Sequence, residues 1–130
     1  MSRYKKICLI DDSNIDNFVC KKFMEKVDFA EEISVHLSGK SALDYFKKLI
    51  ETSGSPPELI FLDIRMPEMN GFEFLEEYKK LDTNFISATK VIILSSSLDI
   101  NDQKKASEDP FIVRFLNKPL SKETLLEINY

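Results

Sequence analysis

The sequence is poor in the residues and segments that define several classes of protein. It has no tryptophan, two cysteines and one histidine among 130 residues. Cys8 and Cys20 have neither metal-ligand spacing nor the context of a small disulfide-rich domain, so we expect reduced thiols in or near the core. No apolar run approaches the roughly 20 residues of a membrane span, and the first predicted strand follows the N-terminus without a signal-peptide pattern. We therefore expect a cytoplasmic protein without membrane contact.

The chain also lacks an excess of positive charge. Its 18 Lys and Arg residues against 22 Asp and Glu residues give a formal net charge of −4. Non-specific binding to nucleic acid or to anionic lipid requires a cationic surface, so we expect neither partner. A composition that is 43% hydrophobic and 31% charged fits one globular domain with one core. We predict a single domain over residues 1–130.

A short apolar run near the middle of the chain ends in a carboxylate. Leu59 to Leu62 follow two prolines and lead directly into Asp63, a pattern typical of a buried strand. Met66-Pro67 cannot continue regular structure, because proline fixes φ and restricts the residue before it. Asp63 is therefore predicted to lie at the end of a strand, beside a loop.

Five predicted strands alternate with five predicted helices along the chain. The strands are predicted at 5–10, 32–37, 59–62, 90–94 and 111–116. The helices are predicted at 14–27, after Gly39, after Asn70-Gly71, at 99–107 and from Ser121, with 82–89 as a loop. This alternation predicts an α/β fold, with a doubly wound, five-stranded parallel sheet and helices on both faces.

Two of these elements carry specific expectations about their side chains. In the first helix, Ser13 is the predicted N-cap, and Ile15, Phe18, Val19 and Phe23 recur at the spacing of an inward face. The second strand alternates strictly between apolar and polar residues, which is typical of an edge strand and places His36 on its solvent side.

Parallel strands of this kind place ligands beyond their carboxyl ends, and five polar residues follow strand ends here. They are Asp11, Asp12, Asp63, Ser95 and Lys118. Three carboxylates at one edge repel one another unless a cation neutralises them, and so small a set of oxygen ligands suits Mg²⁺ better than a closed calcium cage. The lysine ammonium and the serine hydroxyl are the groups that would meet the oxygens of a phosphoryl group. With Asp63 as a nucleophile, the set predicts formation of an aspartyl phosphate.

Two enzyme or cofactor classes share part of this pattern. Haloacid-dehalogenase-like phosphatases also use a strand-end aspartate with Mg²⁺, but they need a second aspartate two residues on, where this chain has Arg65. A flavodoxin-like flavin protein needs a hydroxyl- and glycine-rich phosphate loop after its first strand, whereas residues 11–14 are acidic. Absence of yellow colour in the purified protein would exclude the flavin alternative.

Over essentially the whole chain these motifs resemble the receiver domain of two-component response regulators. The resemblance is carried by Asp11-Asp12, Leu62–Pro67 with Asn70-Gly71 behind it, Ser95 and Lys118-Pro119. It implies a flavodoxin-like sheet with strand order 2-1-3-4-5 and a phosphorelay signalling protein rather than a metabolic enzyme. It also implies that the chain catalyses its own phosphorylation and dephosphorylation, receiving the phosphoryl group from a histidine kinase or a histidine phosphotransfer protein. A receiver that binds its partners without being phosphorylated is the alternative within this family.

Carried over by residue, the resemblance assigns a role to each part of the site. Asp63 is the phosphoryl acceptor and binds Mg²⁺ together with Asp12, and Mn²⁺ is expected to substitute for Mg²⁺. Asp11 acts largely through water, and Arg65 contributes its backbone carbonyl to the metal. Lys118 pairs with Asp63 and then with the phosphoryl group.

The resemblance also implies a switch that passes the signal on. Ser95 moves toward the phosphoryl group, and Phe115, which has no hydroxyl, turns inward and reports the change by packing alone. The surface that changes comprises the predicted helix at 99–107, the strand at 111–116 and the helix from Ser121.

Three further features concern the lifetime of the phosphoryl group, a departure from the family pattern and the C-terminus. The resemblance implies that Arg65 and Ser97 occupy positions that modulate the lifetime of the phosphoryl group, and we hypothesise that Arg65 restricts the approach of the hydrolytic water. Residues 109–112 replace a Gly-Ala pair that is common in the family, which leaves their conformation open. We expect no output domain after Tyr130, and so a stand-alone receiver that works through protein contact, as a relay intermediate or as a phosphate sink. The sequence does not indicate its output protein.

Overall fold

The computed structural model describes residues 2–96 and 99–130. Its strands are β1 (Tyr4–Ile10), β2 (Ala30–His36), β3 (Leu59–Leu62), β4 (Lys90–Ser95) and β5 (Ile112–Asn117). Its helices are α1 (Asn14–Lys26), α2 (Gly39–Glu51), α3 (Gly71–Tyr78), α4 (Thr83–Ser87), α5 (Ile100–Ser107) and α6 (Lys122–Glu127). The predicted helix at 99–107 is therefore α5, and the predicted terminal helix is α6.

All five strands are parallel and form one sheet in the order β2-β1-β3-β4-β5. This confirms the predicted α/β class, the 2-1-3-4-5 order and the edge position of β2. In the register, Ile10 lies beside Leu62, and Leu62 lies beside Ile93. The residues that follow β1, β3 and β4 therefore emerge at one edge of the sheet, as the site requires.

Two hydrophobic layers cover the two faces of the sheet. One contains Cys8, Ile10, Ile60 and Leu62 with side chains from α2 and α3, among them Phe46, Phe74 and Tyr78. The other contains Leu9, Phe61 and Ile92 with Cys20 and Met24 of α1 and Leu125 of α6. Because both faces are covered, the central strands can be apolar at every position. Both thiols are buried, as predicted, and burial raises the pKa of each to about 11.

The first helix begins as predicted but faces the sheet with a different side. Ser13 is its N-cap and accepts the backbone N–H of Asp16. The predicted inward residues Ile15 and Phe18 are 75% and 62% exposed, while Asn17, Cys20 and Met24 are the buried residues of the helix. The inward stripe was therefore wrong, with only Phe23 of that set packed against the core.

The prediction for His36 was also wrong. The residue is 8% exposed, and its ring packs on Tyr45 at 4.7 Å and on Phe46 at 6.3 Å between ring centroids. The predicted alternation of β2 holds only in part, because Val35 is 38% exposed, and α2 covers the side on which His36 lies. Leu37, which the pattern predicted to point inward, is instead 46% exposed.

Two connections contain structure that the sequence patterns did not indicate. The predicted loop at 82–89 contains the five-residue helix α4, which Asp82 caps by accepting the backbone N–H of Phe85 at 3.2 Å. A helix this short is not long enough to show a period. In the 109–112 segment, a carboxylate oxygen of Asp109 accepts the backbone N–H of Phe111 at 2.9 Å, and its other oxygen pairs with Lys79 at 2.6 Å. These contacts define the entry to β5.

Candidate functional site

Asp11 and Asp63 lie side by side because they follow the carboxyl ends of the neighbouring strands β1 and β3. Asp63 follows β3, and its backbone N–H donates to the carbonyl of Ile10 at 2.9 Å. Asp11 follows β1, and its backbone N–H donates to the carbonyl of His36 at 3.1 Å. The sheet ladder therefore continues one residue past each strand and fixes the backbone from which both side chains project.

The Asn70-Gly71 motif closes the loop behind Asp63. The backbone N–H of Gly71 donates to the carbonyl of Ile64 at 2.9 Å. A Cβ atom at Gly71 would lie 2.7 Å from the carbonyl oxygen of Asp63, which is closer than two such atoms can approach. Glycine is therefore required here by the close approach of the two backbones, and Asn70 caps α3 directly afterwards.

Asp11, Asp12 and Asp63 form an acidic cluster. One carboxylate oxygen from each residue lies within 4.8 Å of the others. Asp11 and Asp63 are buried and Asp12 is exposed, so the cluster opens to solvent on one side. Three oxygen donors at this spacing, with an open side for water or substrate, fit a hard divalent cation. The structure thus brings together the three carboxylates that the sequence selected, and they could hold a metal ion.

Lys118 lies against this cluster, directly after β5. Its Nζ atom is 2.5 Å from Asp11 Oδ2, 2.8 Å from Asp16 Oδ2 and 3.8 Å from Asp63 Oδ1. The backbone N–H of Lys118 donates to the carbonyl of Ser95 at 3.0 Å, which continues the β4–β5 ladder past its last pair. The lysine therefore approaches Asp63, but its hydrogen bonds go to Asp11 and Asp16.

The electrostatics of the site follow from this packing. Burial, and next the nearby charge of Asp11, raise the pKa of Asp63 to about 6, although Lys118 and a hydrogen bond from the backbone of Arg65 act in the opposite direction. Burial alone would lower the pKa of Lys118, but hydrogen bonds to Asp11 and Asp16 and the charge of Asp63 raise it above its ordinary value. The ammonium group therefore stays charged at neutral pH.

Ser95 and Phe115 occupy the positions that the sequence predicted for them. Ser95 is the last residue of β4 and is completely buried. Phe115 lies on β5 beside Ile93 of β4, is half-buried, and packs against the α2/α3 hydrophobic layer. Ser95 therefore lies at the strand end that carries the site, and Phe115 lies two residues before the end of the neighbouring strand.

The Arg65 side chain extends away from the acidic cluster. Its guanidinium group donates to Asp102 Oδ2 at 2.6 Å and lies 3.7 Å from Asp99 Oδ2, so it reaches the first turn of α5. Its backbone hydrogen-bonds the carboxylate of Asp63, while the predicted role of its carbonyl on a metal remains a prediction. Ser97, the second predicted lifetime residue, lies outside the described residues.

Sequence reasoning missed two site residues on α1. The side chain of Asn17 donates to the carbonyl of Asp11 at 2.8 Å, and Asp16 contacts Lys118. Both lie in the first turns of a helix, where acidic and amide residues are common as capping groups. Nothing in that pattern separates a cap from a site residue, and the contact with Lys118 joins residues 102 positions apart.

An open groove of about 340 Å³ adjoins the lysine. It runs between α1 and the segment that follows β5. Its lining residues are Asp16, Val19, Cys20, Ser96, Lys118, Pro119 and Leu120. The exposed apolar side chains Ile15 and Phe18 lie on the same helix. The groove beside Lys118 therefore has a partly apolar lining, to which Val19, Cys20 and Leu120 contribute.

Known proteins resemble the chain along most of its length. It is 32% identical over 120 residues to the probable methanogenesis regulatory protein FilR2 of Methanothrix harundinacea, covering 92% of this chain and 75% of that protein. It is 27% identical over 113 residues to the chemotaxis protein CheY of Thermotoga maritima, covering 85% of each. A two-component response regulator from Cytophaga hutchinsonii superimposes with a TM-score of 0.86 at 32% identity, covering 95% of this chain and 92% of that one.

Residues 7–129 match the response regulator receiver domain family. The chain therefore belongs to that family, and its place is in two-component signalling, where receivers accept phosphoryl groups, rather than in metabolism. Within the described ranges 2–96 and 99–130, the helices are all too short or too polar to cross a membrane.

Proposed function

We propose that Asp63 is the phosphoryl acceptor of this receiver, and that the chain itself supplies the groups that catalyse the transfer. One observation carries the proposal. A buried carboxylate at the end of β3 lies in one cluster with Asp11 and Asp12, and the ammonium group of Lys118 is 3.8 Å from it. A nucleophile, a cation site and a positive charge for phosphoryl oxygens are thus adjacent.

In the proposed transfer, an oxygen of Asp63 attacks the phosphorus atom of a phosphohistidine. The new O–P bond forms as the N–P bond breaks, and the electron pair of that bond stays on the imidazole nitrogen. The transferred group carries negative charge on its outer oxygens, which Lys118 and the hydroxyl of Ser95 would contact. Asp63 must be ionised to attack, so partners that lower its pKa, such as Lys118, favour the reaction.

Mg²⁺ is the cation that we propose for the acidic cluster, with Mn²⁺ as a substitute. Asp12 and Asp63 would bind it, Asp11 would act largely through water, and the backbone carbonyl of Arg65 would complete the protein ligands. When bound, such an ion neutralises the carboxylates and the phosphoryl oxygens together. The open side of the cluster, where Asp12 is exposed, leaves room for both water and the donor.

The phosphoryl donor that we propose is a histidine kinase or histidine phosphotransfer protein. A donor histidine must bring its phosphorus to Asp63, so its protein must contact the surface that surrounds the acidic cluster. Ile15 and Phe18 are exposed on α1, and the same helix lines the groove along Lys118. Exposed apolar groups next to a site are typical of a protein contact. The signal would leave through α5, β5 and α6, the elements connected to Ser95 and Phe115.

The direct test is intact-mass measurement after incubation with acetyl phosphate and Mg²⁺. We expect the wild-type chain to gain one phosphoryl group, because the catalytic groups belong to the receiver itself. Removal of Mg²⁺ with EDTA and replacement of Asp63 by Ala should each abolish the adduct, while Asp44→Ala, which removes an exposed carboxylate on α2, should not. A wild-type chain that never gains the group would overturn the proposal and favour a receiver that binds partners without phosphorylation.

A further inference from the structure

The ammonium group of Lys118 lies close to three carboxylates. It lies within hydrogen-bond distance of Asp11 and Asp16, at 2.5 Å and 2.8 Å, but is 3.8 Å from Asp63. An ammonium group has three N–H donors, so two of them are directed to residues other than the proposed acceptor. Asp11 belongs to the acidic cluster, whereas Asp16 does not.

Asp16 lies in a helix turn whose backbone is held by hydrogen bonds. It lies in the first turn of α1, and its backbone N–H donates to Ser13 Oγ at 3.2 Å. The next residue, Asn17, fastens the helix to the end of β1 through the carbonyl of Asp11. The Asp16 carboxylate therefore projects from a helix turn whose backbone is held, and it contacts Lys118 from outside the acidic cluster. Its side chain is 42% exposed, while that of Lys118 is 14% exposed.

A phosphoryl group on Asp63 would place new anionic oxygens close to Lys118. Its third N–H donor can turn toward these oxygens, but a movement of the ammonium group toward them lengthens its contacts with Asp11 and Asp16. A cation bound at the acidic cluster would interact with Asp11. Asp16 is then the remaining carboxylate that competes with the phosphoryl oxygens for Lys118, and it takes no part in metal binding or phosphoryl transfer.

We infer that Asp16 is a positioning residue that draws the ammonium group of Lys118 away from Asp63 and so weakens the binding of a phosphoryl group at this site. The inference rests on the proposed role of Asp63. It predicts that this receiver holds the phosphorylated state less firmly than the same chain without the Asp16 carboxylate.

The test measures affinity for beryllium fluoride, a stable mimic of a phosphoryl group on a carboxylate, at saturating Mg²⁺. Titrations followed by ¹⁹F NMR would compare the wild type with Asp16→Asn. We expect the variant to bind about two- to fivefold more tightly, the size typical of a half-exposed charge pair. Glu25→Gln removes the same charge from an exposed position further along α1, and should bind as the wild type does.

A second variant separates positioning from a structural effect. Asp16→Glu keeps the carboxylate, one methylene further out, and should restore an affinity close to that of the wild type. Thermal unfolding should change little in Asp16→Asn, because the helix cap uses the backbone of Asp16 rather than its side chain. Affinity in Asp16→Asn that is unchanged or weaker would overturn the inference. A wild type that binds no beryllium fluoride would instead refute the proposed role of Asp63.

Discussion

At the scale of single residues, Asp63 is placed where its charge is unfavourable for folding. It is buried beside Asp11, and both factors raise its pKa to about 6, against an ordinary value of 3.8. Lys118 offsets part of this cost, but its closest contacts are with Asp11 and Asp16. A carboxylate kept in this state suits a group whose charge is neutralised when a cation binds beside it.

We predict that Asp63→Asn stabilises the metal-free protein. A folded-state pKa above the unfolded value means that the favourable contribution of Asp63 exists below pH 4 and is lost as the pH rises through 6. At pH 8 the ionised group therefore destabilises the fold, and its removal should raise the free energy of unfolding by on the order of 2 kcal/mol. Urea unfolding in EDTA measures this value.

The pH provides the internal control for this prediction. At pH 4.5 Asp63 is mostly protonated in the folded state, so the difference between Asp63→Asn and wild type should shrink. Asp44→Asn makes the same chemical change at an exposed position of α2 and should have little effect at either pH. A variant that is less stable than wild type at pH 8 would show that the contact between Asp63 and Lys118 outweighs the cost of burial.

At the scale of elements, side-chain contacts connect α5 to the loop after β3 and to α3. Arg65, from the loop after β3, pairs with Asp102 in the first turn of α5. At the other end of the helix, Lys105 lies 4.6 Å from the ring centroid of Phe72 of α3. These contacts are at the surface, so they position the helix without adding much to overall stability.

We predict that Arg65→Ala loosens α5 locally. Hydrogen exchange of the amides in 100–107 should become several-fold faster, since the first turn loses its link to the phosphoryl-site loop. The free energy of unfolding should fall by less than about 1 kcal/mol, because Arg65 is 59% exposed. Arg114→Ala, which removes an ion pair with Glu127 instead, should leave exchange in α5 unchanged.

The same variant tests the hypothesis that Arg65 limits hydrolysis. If the arginine restricts the approach of water, its removal should shorten the half-life of the phosphoryl group on the labelled protein, followed by intact mass. An unchanged half-life would refute that role. Faster exchange in α5 together with an unchanged half-life would assign Arg65 to the link between loop and helix alone.

Sequence patterns predicted the strands correctly but not the buried face of α1. The apolar runs of β1, β3 and β4 identified strands buried on both faces, and the strand ends then brought Asp11, Asp63 and Ser95 to one edge of the sheet. The rotation of α1 could not be predicted in this way. Two contacts accompany that rotation, one of Asp16 with Lys118, 102 positions away in the sequence, and one of Asn17 with the carbonyl of Asp11. The rotation leaves the more apolar Ile15 and Phe18 outside. The hydrophobic period of a helix depends on its own residues alone, so it cannot predict contacts that the helix makes with other parts of the chain.

At the scale of the whole molecule, the acidic edge of the sheet is supported by packing at the opposite ends of the strands. The guanidinium group of Arg3 donates to the carbonyls of Leu125 and Leu126, and the Tyr4 hydroxyl exchanges hydrogen bonds with the backbone of Tyr130. These contacts join the start of β1 to the region of α6. The mutually repelling carboxylates therefore lie at one end of the strands, while these hydrogen bonds lie at the other end.

Two groups, Asp63 and His36, change the stability of the fold in opposite directions as the pH falls. Lowering the pH toward 4 relieves the repulsion at Asp63 and stabilises the fold. His36 acts the other way, because burial lowers its pKa below 6.5. A base whose folded pKa is depressed contributes fully above its unfolded pKa, and the fold loses that stability as the pH falls below 6.5 toward the folded value. The two effects overlap near pH 6 and have to be separated by substitution.

We predict that His36→Phe reduces the pH dependence of the free energy of unfolding when it is added to the Asp63→Asn variant, in which Asp63 no longer titrates. In the Asp63→Asn chain, the free energy of unfolding should fall between pH 7.5 and pH 5, because His36 has to be protonated against its buried surroundings of Tyr45 and Phe46. Phenylalanine keeps an aromatic ring on these neighbours but cannot take up a proton. The double variant should therefore show a smaller slope over this interval in urea unfolding. Equal slopes in the two chains would mean that His36 is protonated as easily when folded as when unfolded.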